Sequence, residues 1–160
     1  MNIILSIDPG YLKTGFSIIK ENSNKIFYLK YGIINSKEFV NKFEKMKFIY
    51  NEINKIILKF KPKVSIIESI FLGKNFDSII KLDLARSSII LSLINKNIPI
   101  YEYNSKKVKK IITNFGNCNK NLINKKIINI FNIKNRLSYD ESDAIAIGLA
   151  YLVDKFNFKI

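Results

Sequence analysis

Ile3-Ile4-Leu5-Ser6-Ile7-Asp8-Pro9-Gly10 opens the chain with an almost unbroken apolar run that stops at an acid and two turn residues. Such a run fits a strand buried on both faces of a sheet, and Asp-Pro-Gly fits the turn that follows. The same pattern recurs at Val64-Ser65-Ile66-Ile67-Glu68, again apolar and again closed by a carboxylate. Between the two, Gly15 to Lys20 and Lys25 to Ile34 carry β-branched and aromatic residues around the polar Glu21-Asn22-Ser23-Asn24, which reads as a hairpin. From about Lys37 to Phe60 apolar residues keep a three-four spacing through Phe39, Val40, Phe43, Met46, Ile49, Ile53, Ile56, Ile57 and Phe60, predicting a helix that Pro62 ends.

Beyond Glu68 a loop through Asn75 leads to a helix over about 78–95 and a strand over Ile98 to Tyr103. The polar, basic stretch from Asn104 to Asn121 reads as a short helix plus loop, and helical patterns follow at about 120–131 and 138–156. Strand, helix, strand, helix, strand in succession implies right-handed crossovers and parallel strands. The expected architecture is therefore α/β: a mixed five-stranded sheet, an antiparallel meander continued by parallel strands, flanked by helices. A length of 160 residues with 48% apolar content suits one domain over residues 1–160.

The balance of 27 Lys+Arg against 13 Asp+Glu gives a formal charge of +14, which points to a polyanionic partner such as nucleic acid. Lys, Ile and Asn crowd the chain and Arg occurs only as Arg86 and Arg136, so an A+T-rich coding bias accounts for part of the lysine. That bias does not account for the shortage of acids. The absence of His excludes Ser/His/Asp and Cys/His nucleophilic machinery and His-ligated zinc, leaving carboxylates to carry any chemistry. The lone Cys118 allows no internal disulfide, and apolar runs fall well short of the ~18 residues a bilayer needs. A cytoplasmic protein that does not enter the membrane is expected.

In an open α/β sheet, ligands sit at the carboxyl ends of the parallel strands, where Asp8 and Glu68 both stand. Two more candidate acids, Asp140 and Asp143, lie with Glu141 in Ser138-Tyr139-Asp140-Glu141-Ser142-Asp143, before the apolar run from Ala144 to Ile147. Ser138 with Glu141 forms a capping-box pattern, which starts a helix at Ser138 and gives Glu141 a structural task. Asp140 and Asp143, three apart, then share a face of its first turn. Each acid also has a plain explanation in turn chemistry or in the helix dipole. Taken together, clustered carboxylates without His or Cys form a hard oxygen site that suits Mg²⁺ or Mn²⁺. Two such ions about 4 Å apart are a known device for in-line phosphodiester hydrolysis.

With these residues in view, the sequence resembles the RuvC family of crossover junction endodeoxyribonucleases. The matching stretches are Ile7-Asp8-Pro9-Gly10 with Thr14-Gly15, Ile67-Glu68 with Phe71 and Lys74-Asn75, Leu84-Ala85-Arg86, and Asp140 and Asp143 leading into Ala144-Ile145-Ala146-Ile147. The resemblance implies an RNase H-like fold, a homodimer on four-way junction DNA, and Mg²⁺-dependent symmetric nicking of two strands. It implies metal ligands at Asp8, Glu68, Asp140 and Asp143, junction contact at Phe71, and positive charge near the scissile phosphate from Lys109 and Lys120. Lys74, Arg86, Lys106 and Lys107 complete the expected DNA-contacting set. A branch-migration complex of RuvA and RuvB is implied as a partner.

Tyr11-Leu12-Lys13 and Ser87 depart from what the family pattern leads one to expect. Three rival readings remain: a YqgF-type RNase H-like nuclease acting on ribosomal RNA precursor, an actin-like phosphate-binding domain, and a non-catalytic nucleic-acid-binding module.

Overall fold

The computed structural model describes residues 2–22, 25–70 and 75–158. β1 (Asn2–Asp8) lies at the centre of a five-stranded sheet of order β3-β2-β1-β4-β5. On one side β2 (Lys13–Asn22) and β3 (Lys25–Asn35) form the antiparallel meander. On the other, β4 (Val64–Glu68) and β5 (Ile100–Tyr103) run parallel to β1. This is the mixed sheet that the sequence predicts.

Each face of the sheet carries its own core. Leu5, Ile7, Ile18 and Ile67 pack under α1 (Lys42–Phe60) and α2 (Phe76–Ile94). Ile4, Ile19, Val64 and Ile66 pack under α3 (Ser105–Thr113), α4 (Lys120–Phe131) and α5 (Tyr139–Phe156). Side chains alternate along a strand, so Ile4, Ser6 and Asp8 share the α5 side, as do Val64, Ile66 and Glu68. Fully burying one Ile or Leu is worth about 1.5–3 kcal/mol, and a slip of one residue would expose the whole set. The core thus fixes the face on which the two acids emerge.

Helix ends follow side-chain capping more closely than apolar spacing. α1 begins at Lys42, not near Lys37, because the Asn41 side chain accepts from the backbone N–H groups of Phe43 and Glu44. Phe39, which fits the helical period, lies outside the helix and packs on Phe48 with ring centroids 4.7 Å apart. Val40 fits the period too, yet it is 97% exposed. Asn75, Asn104 and Asn119 cap α2, α3 and α4 in the same manner as Asn41. Asn114, Asn132 and Asn157 close α3, α4 and α5 in the left-handed conformation that Asn tolerates.

Candidate active site

β1 and β4 are parallel neighbours with Ile7 opposite Ile67, so Asp8 and Glu68 leave the sheet side by side on the α5 face. Burial is the main cause that holds the Asp8 carboxyl well above the usual carboxylate range. The charge of Glu68, a hydrogen bond with it and the charge of Asp143 act in the same direction, against a weaker pull from Lys120. Burial and a neighbouring carboxylate both favour the protonated form of such a group, and a nearby cation opposes them.

α5 brings the remaining acids because small residues let it approach the sheet. A Cβ on Gly15 would lie 2.1 Å from the Asp140 carbonyl oxygen, and one on Gly148 would lie 2.5 Å from Ser6 Oγ. Ser6 Oγ and Ser17 Oγ are 2.6 Å apart, and Ser17 donates to the Ala144 carbonyl at 3.4 Å. Gly15 is also the residue paired with Asp8 in the β1–β2 register. The start of α5 therefore rests directly on the backbone beside the first acid. Its capping box is complete: Glu141 N donates to Ser138 Oγ at 3.3 Å, and Ser138 N donates to Glu141 Oε2 at 3.0 Å. This commits Glu141 to the helix end, while Asp143 turns toward Asp8.

Asp140 stands a step further out. It lines a groove of about 660 Å³ with Lys13, Asn121, Arg136 and Tyr139, and its charge reaches the others through Lys120. Lys120 Nζ lies 2.9 Å from Asp143 Oδ2. Partial burial works to lower the Lys120 pKa, but its hydrogen bond to Asp143 and the charges of Asp143, Asp8 and Asp140 outweigh it and raise the pKa above its ordinary value. Lys109, on α3, lines a small cavity shared with Glu68, Ser105 and Asp143. Two lysines therefore flank the acids.

The other expected DNA contacts divide. The side chain of Arg86 is only 14% exposed and pairs with Glu102 of β5 at 2.8 Å. It forms a wall, with Leu82 and Pro9, of the cavity that holds Asp8 and Glu68. Lys107 pairs with Asp154 at 2.8 Å and sits over the Tyr103 ring. Asp154 is eleven residues along α5 from Asp143, about 16 Å at 1.5 Å per residue, so Lys107 is turned away from the acids. Lys106 is exposed on α3. Phe71 and Lys74 lie outside the described residues. Sequence reasoning missed the Arg86–Glu102 pair and the contact of Gly15 with Asp140. Neither has a signal in residue spacing, since each joins elements far apart in the chain.

The model of the family described as Crossover junction endodeoxyribonuclease RuvC matches residues 4–151. A protein of that name from Wigglesworthia glossinidia brevipalpis is 41% identical over 151 residues, which cover 94% of this chain and 93% of that one. Another of that name, from Baumannia cicadellinicola, is 38% identical over 153 residues, 94% of this chain and 87% of its own. Among solved structures, Thermus thermophilus RuvC in complex with a Holliday junction substrate superposes with a TM-score of 0.87 at 19% identity, covering 99% of this chain and 98% of that one. The sheet order and helix placement are those of the RNase H-like fold. With the family model spanning nearly all of it and relatives of this identity along its length, the chain belongs to the RuvC family of crossover junction endodeoxyribonucleases.

Proposed function

We propose that this protein resolves four-way DNA junctions by metal-dependent phosphodiester hydrolysis, nicking two strands symmetrically from a homodimer. The observation that carries the reading is the meeting of Asp8, Glu68 and Asp143 at one rim of the sheet with Lys120 between acid and solvent. The donor set fits a divalent cation. All four ligand candidates are hard carboxylates, and burial together with the charge of Glu68 raises the Asp8 pKa, an effect that a bound cation would oppose. Among the described residues no three such side chains yet enclose a point where an ion would sit, with Asp143 engaged by Lys120 and Asp8 by Glu68. Asp8, Glu68, Asp140 and Asp143 would hold Mg²⁺, two ions per site, with Mn²⁺ as a substitute. Such ions supply the Lewis acidity for in-line attack of water on the scissile phosphate.

The chain's own contribution is position and charge. Asp8 and Glu68 are fixed by buried strands, so their carboxylates need little reordering as substrate arrives. Lys120 and Lys109 place ammonium groups where a phosphate approaching the acids gains an attractive partner and where charge develops as the bond breaks. The exposed Lys106 and Lys110 extend that field, and Phe71 and Lys74 are proposed to touch the junction. A cytoplasmic, single-domain enzyme working beside RuvA and RuvB completes the reading.

The dimer has a candidate face. Phe76, Ile80, Leu91 and Ile94 of α2 are all exposed. At ~100° per residue they fall within about 60° of arc, a single apolar stripe. Two such stripes meeting about a twofold axis would cover each other. Ile80→Glu combined with Leu91→Glu should convert dimer to monomer in analytical ultracentrifugation, weakening association at least about tenfold, since each buries a charge without a partner. A wild-type sedimentation profile for the double variant would remove α2 from the interface.

Function is tested by offering the purified protein a synthetic mobile four-way junction, linear duplex and structured RNA, with and without Mg²⁺. Paired nicks confined to the junction and dependent on metal are expected. Cleavage of RNA instead would move the chain to the ribosomal RNA processing branch, and junction binding with no cleavage in either metal would leave a binding module.

A further inference from the structure

The loop between α3 and α4 carries an aromatic ring that the hydrolytic machinery does not use. Phe115 is 67% exposed, yet its backbone is held in place. The Thr113 hydroxyl accepts from Phe115 N at 3.2 Å and lies 2.9 Å from the Phe115 carbonyl oxygen, and Asn114 turns the chain with a φ of 64°. The ring borders a cavity of about 580 Å³ whose lining includes Asn117, Asn119, Asn121, Leu122 and Lys125 and holds no acid.

The amides of that lining are partly committed. Asn119 Oδ1 accepts from Leu122 N at 2.9 Å, and Asn121 Oδ1 accepts from the Tyr139 hydroxyl. Each carbonyl thus takes one bond within the protein, and the two amides keep donor and acceptor capacity for the edge of a ligand. Between these asparagines in sequence stands Lys120, whose ammonium is on Asp143.

We propose that this cavity receives one nucleobase of the strand being cut, stacked on Phe115 and held at its edge by the Asn119 and Asn121 amides, with Lys125 toward a flanking phosphate. The inference rests on the junction-cutting reading above. A flat ring with an open face, side-chain amides and a lysine are what a base, its edge and its phosphate require. The cavity lies within the size range of ligand sites, roughly 300–1,000 Å³. A strand whose scissile phosphate lies at Lys120 delivers an adjacent base to the cavity.

The test places 2-aminopurine in turn at each nucleotide flanking the mapped cut of a four-way junction. Emission is read on binding to Asp8→Asn protein, which keeps the DNA intact. One position should respond, and the response should vanish with Phe115→Ala added and persist with Phe115→Tyr. In the wild-type background Phe115→Ala should slow junction cleavage roughly 5- to 100-fold, the range that loss of one stacked base gives. Phe115→Tyr should restore it. If the wild type cuts junctions but Phe115→Ala shows the same emission pattern and rate, the base site is wrong while the resolvase reading stands. A wild type that neither cuts junctions nor shows any position-specific response overturns both.

Discussion

Asp8→Asn should abolish junction cleavage, by on the order of 10³-fold or more, while junction affinity stays within a few-fold of wild type. Asn keeps the size of the side chain and its place at the end of β1, but it removes the negative oxygen that a divalent cation needs. The same substitution has a second consequence that separates an electrostatic role from a merely structural one. Because burial and the Glu68 carboxylate hold the Asp8 pKa well above the usual range, there is a pH window in which the unfolded chain has lost this proton and the folded chain still binds it. The folded state then binds more protons than the unfolded one, so metal-free stability falls as pH rises from the ordinary Asp value through the raised one. Asn has no proton to lose. The variant should therefore melt higher than wild type in metal-free buffer at neutral pH, with a flatter profile across that window.

Addition of divalent metal should reverse the order. At a concentration of 100 times Kd a bound ion adds about 2.7 kcal/mol to the wild type, roughly 5–10 °C for a chain of this size, and the variant should lose most of that gain. Calorimetric scans at several pH values, with Mg²⁺ and with chelator, measure both effects. If the two proteins melt alike with metal and without it, Asp8 is not part of a cation site.

The strands and their acids could be read from the sequence because a buried parallel strand leaves a strong trace. Ile3 to Ile7 and Val64 to Ile67 are continuous apolar runs, and an acid closing each is conspicuous against them. The mixed character of the sheet followed from the succession of strands and helices, whereas its strand order, which makes β1 and β4 neighbours, was not read from the sequence. Helix starts were less legible: Phe39 and Val40 keep the helical period without being helical, and Asn41 decides the boundary through two hydrogen bonds. Asparagine was the most misleading residue type. Its abundance reads as coding bias, yet Asn41, Asn75, Asn104 and Asn119 begin four helices and Asn114, Asn132 and Asn157 end three. The fate of Arg86 was not legible either, because its partner Glu102 lies on a strand that is adjacent only in the folded sheet.

A single methyl group at Gly15 should cost the enzyme on the order of 100-fold in turnover. Gly15 is bonded in register to Asp8 on one side and touches the Asp140 carbonyl on the other. A Cβ there would stand 2.1 Å from that oxygen, far inside van der Waals contact. The backbone at Asp140 cannot rotate aside as a long side chain would, because it belongs to the first turn of a helix locked by the Ser138–Glu141 capping box. In Gly15→Ala the start of α5 must therefore move outward, carrying Asp140 and Asp143 away from Asp8 and Glu68. A misplacement near 1 Å among catalytic groups is enough for a hundredfold loss, and overpacking of this kind costs about 1–3 kcal/mol in stability. On the proposed reading, in which lysines of α3 and α4 carry junction binding, affinity should change little. The informative measurement is single-turnover cleavage alongside affinity and thermal melting, with Thr14→Ser as a neighbouring control that adds no volume against α5. A Gly15→Ala protein that melts a few degrees lower but cuts at the wild-type rate would show that the separation of α5 from β1 does not set the geometry of the acids. Loss of rate at full junction affinity would show that this close approach, which no single stretch of sequence announces, is what joins the two halves of the site.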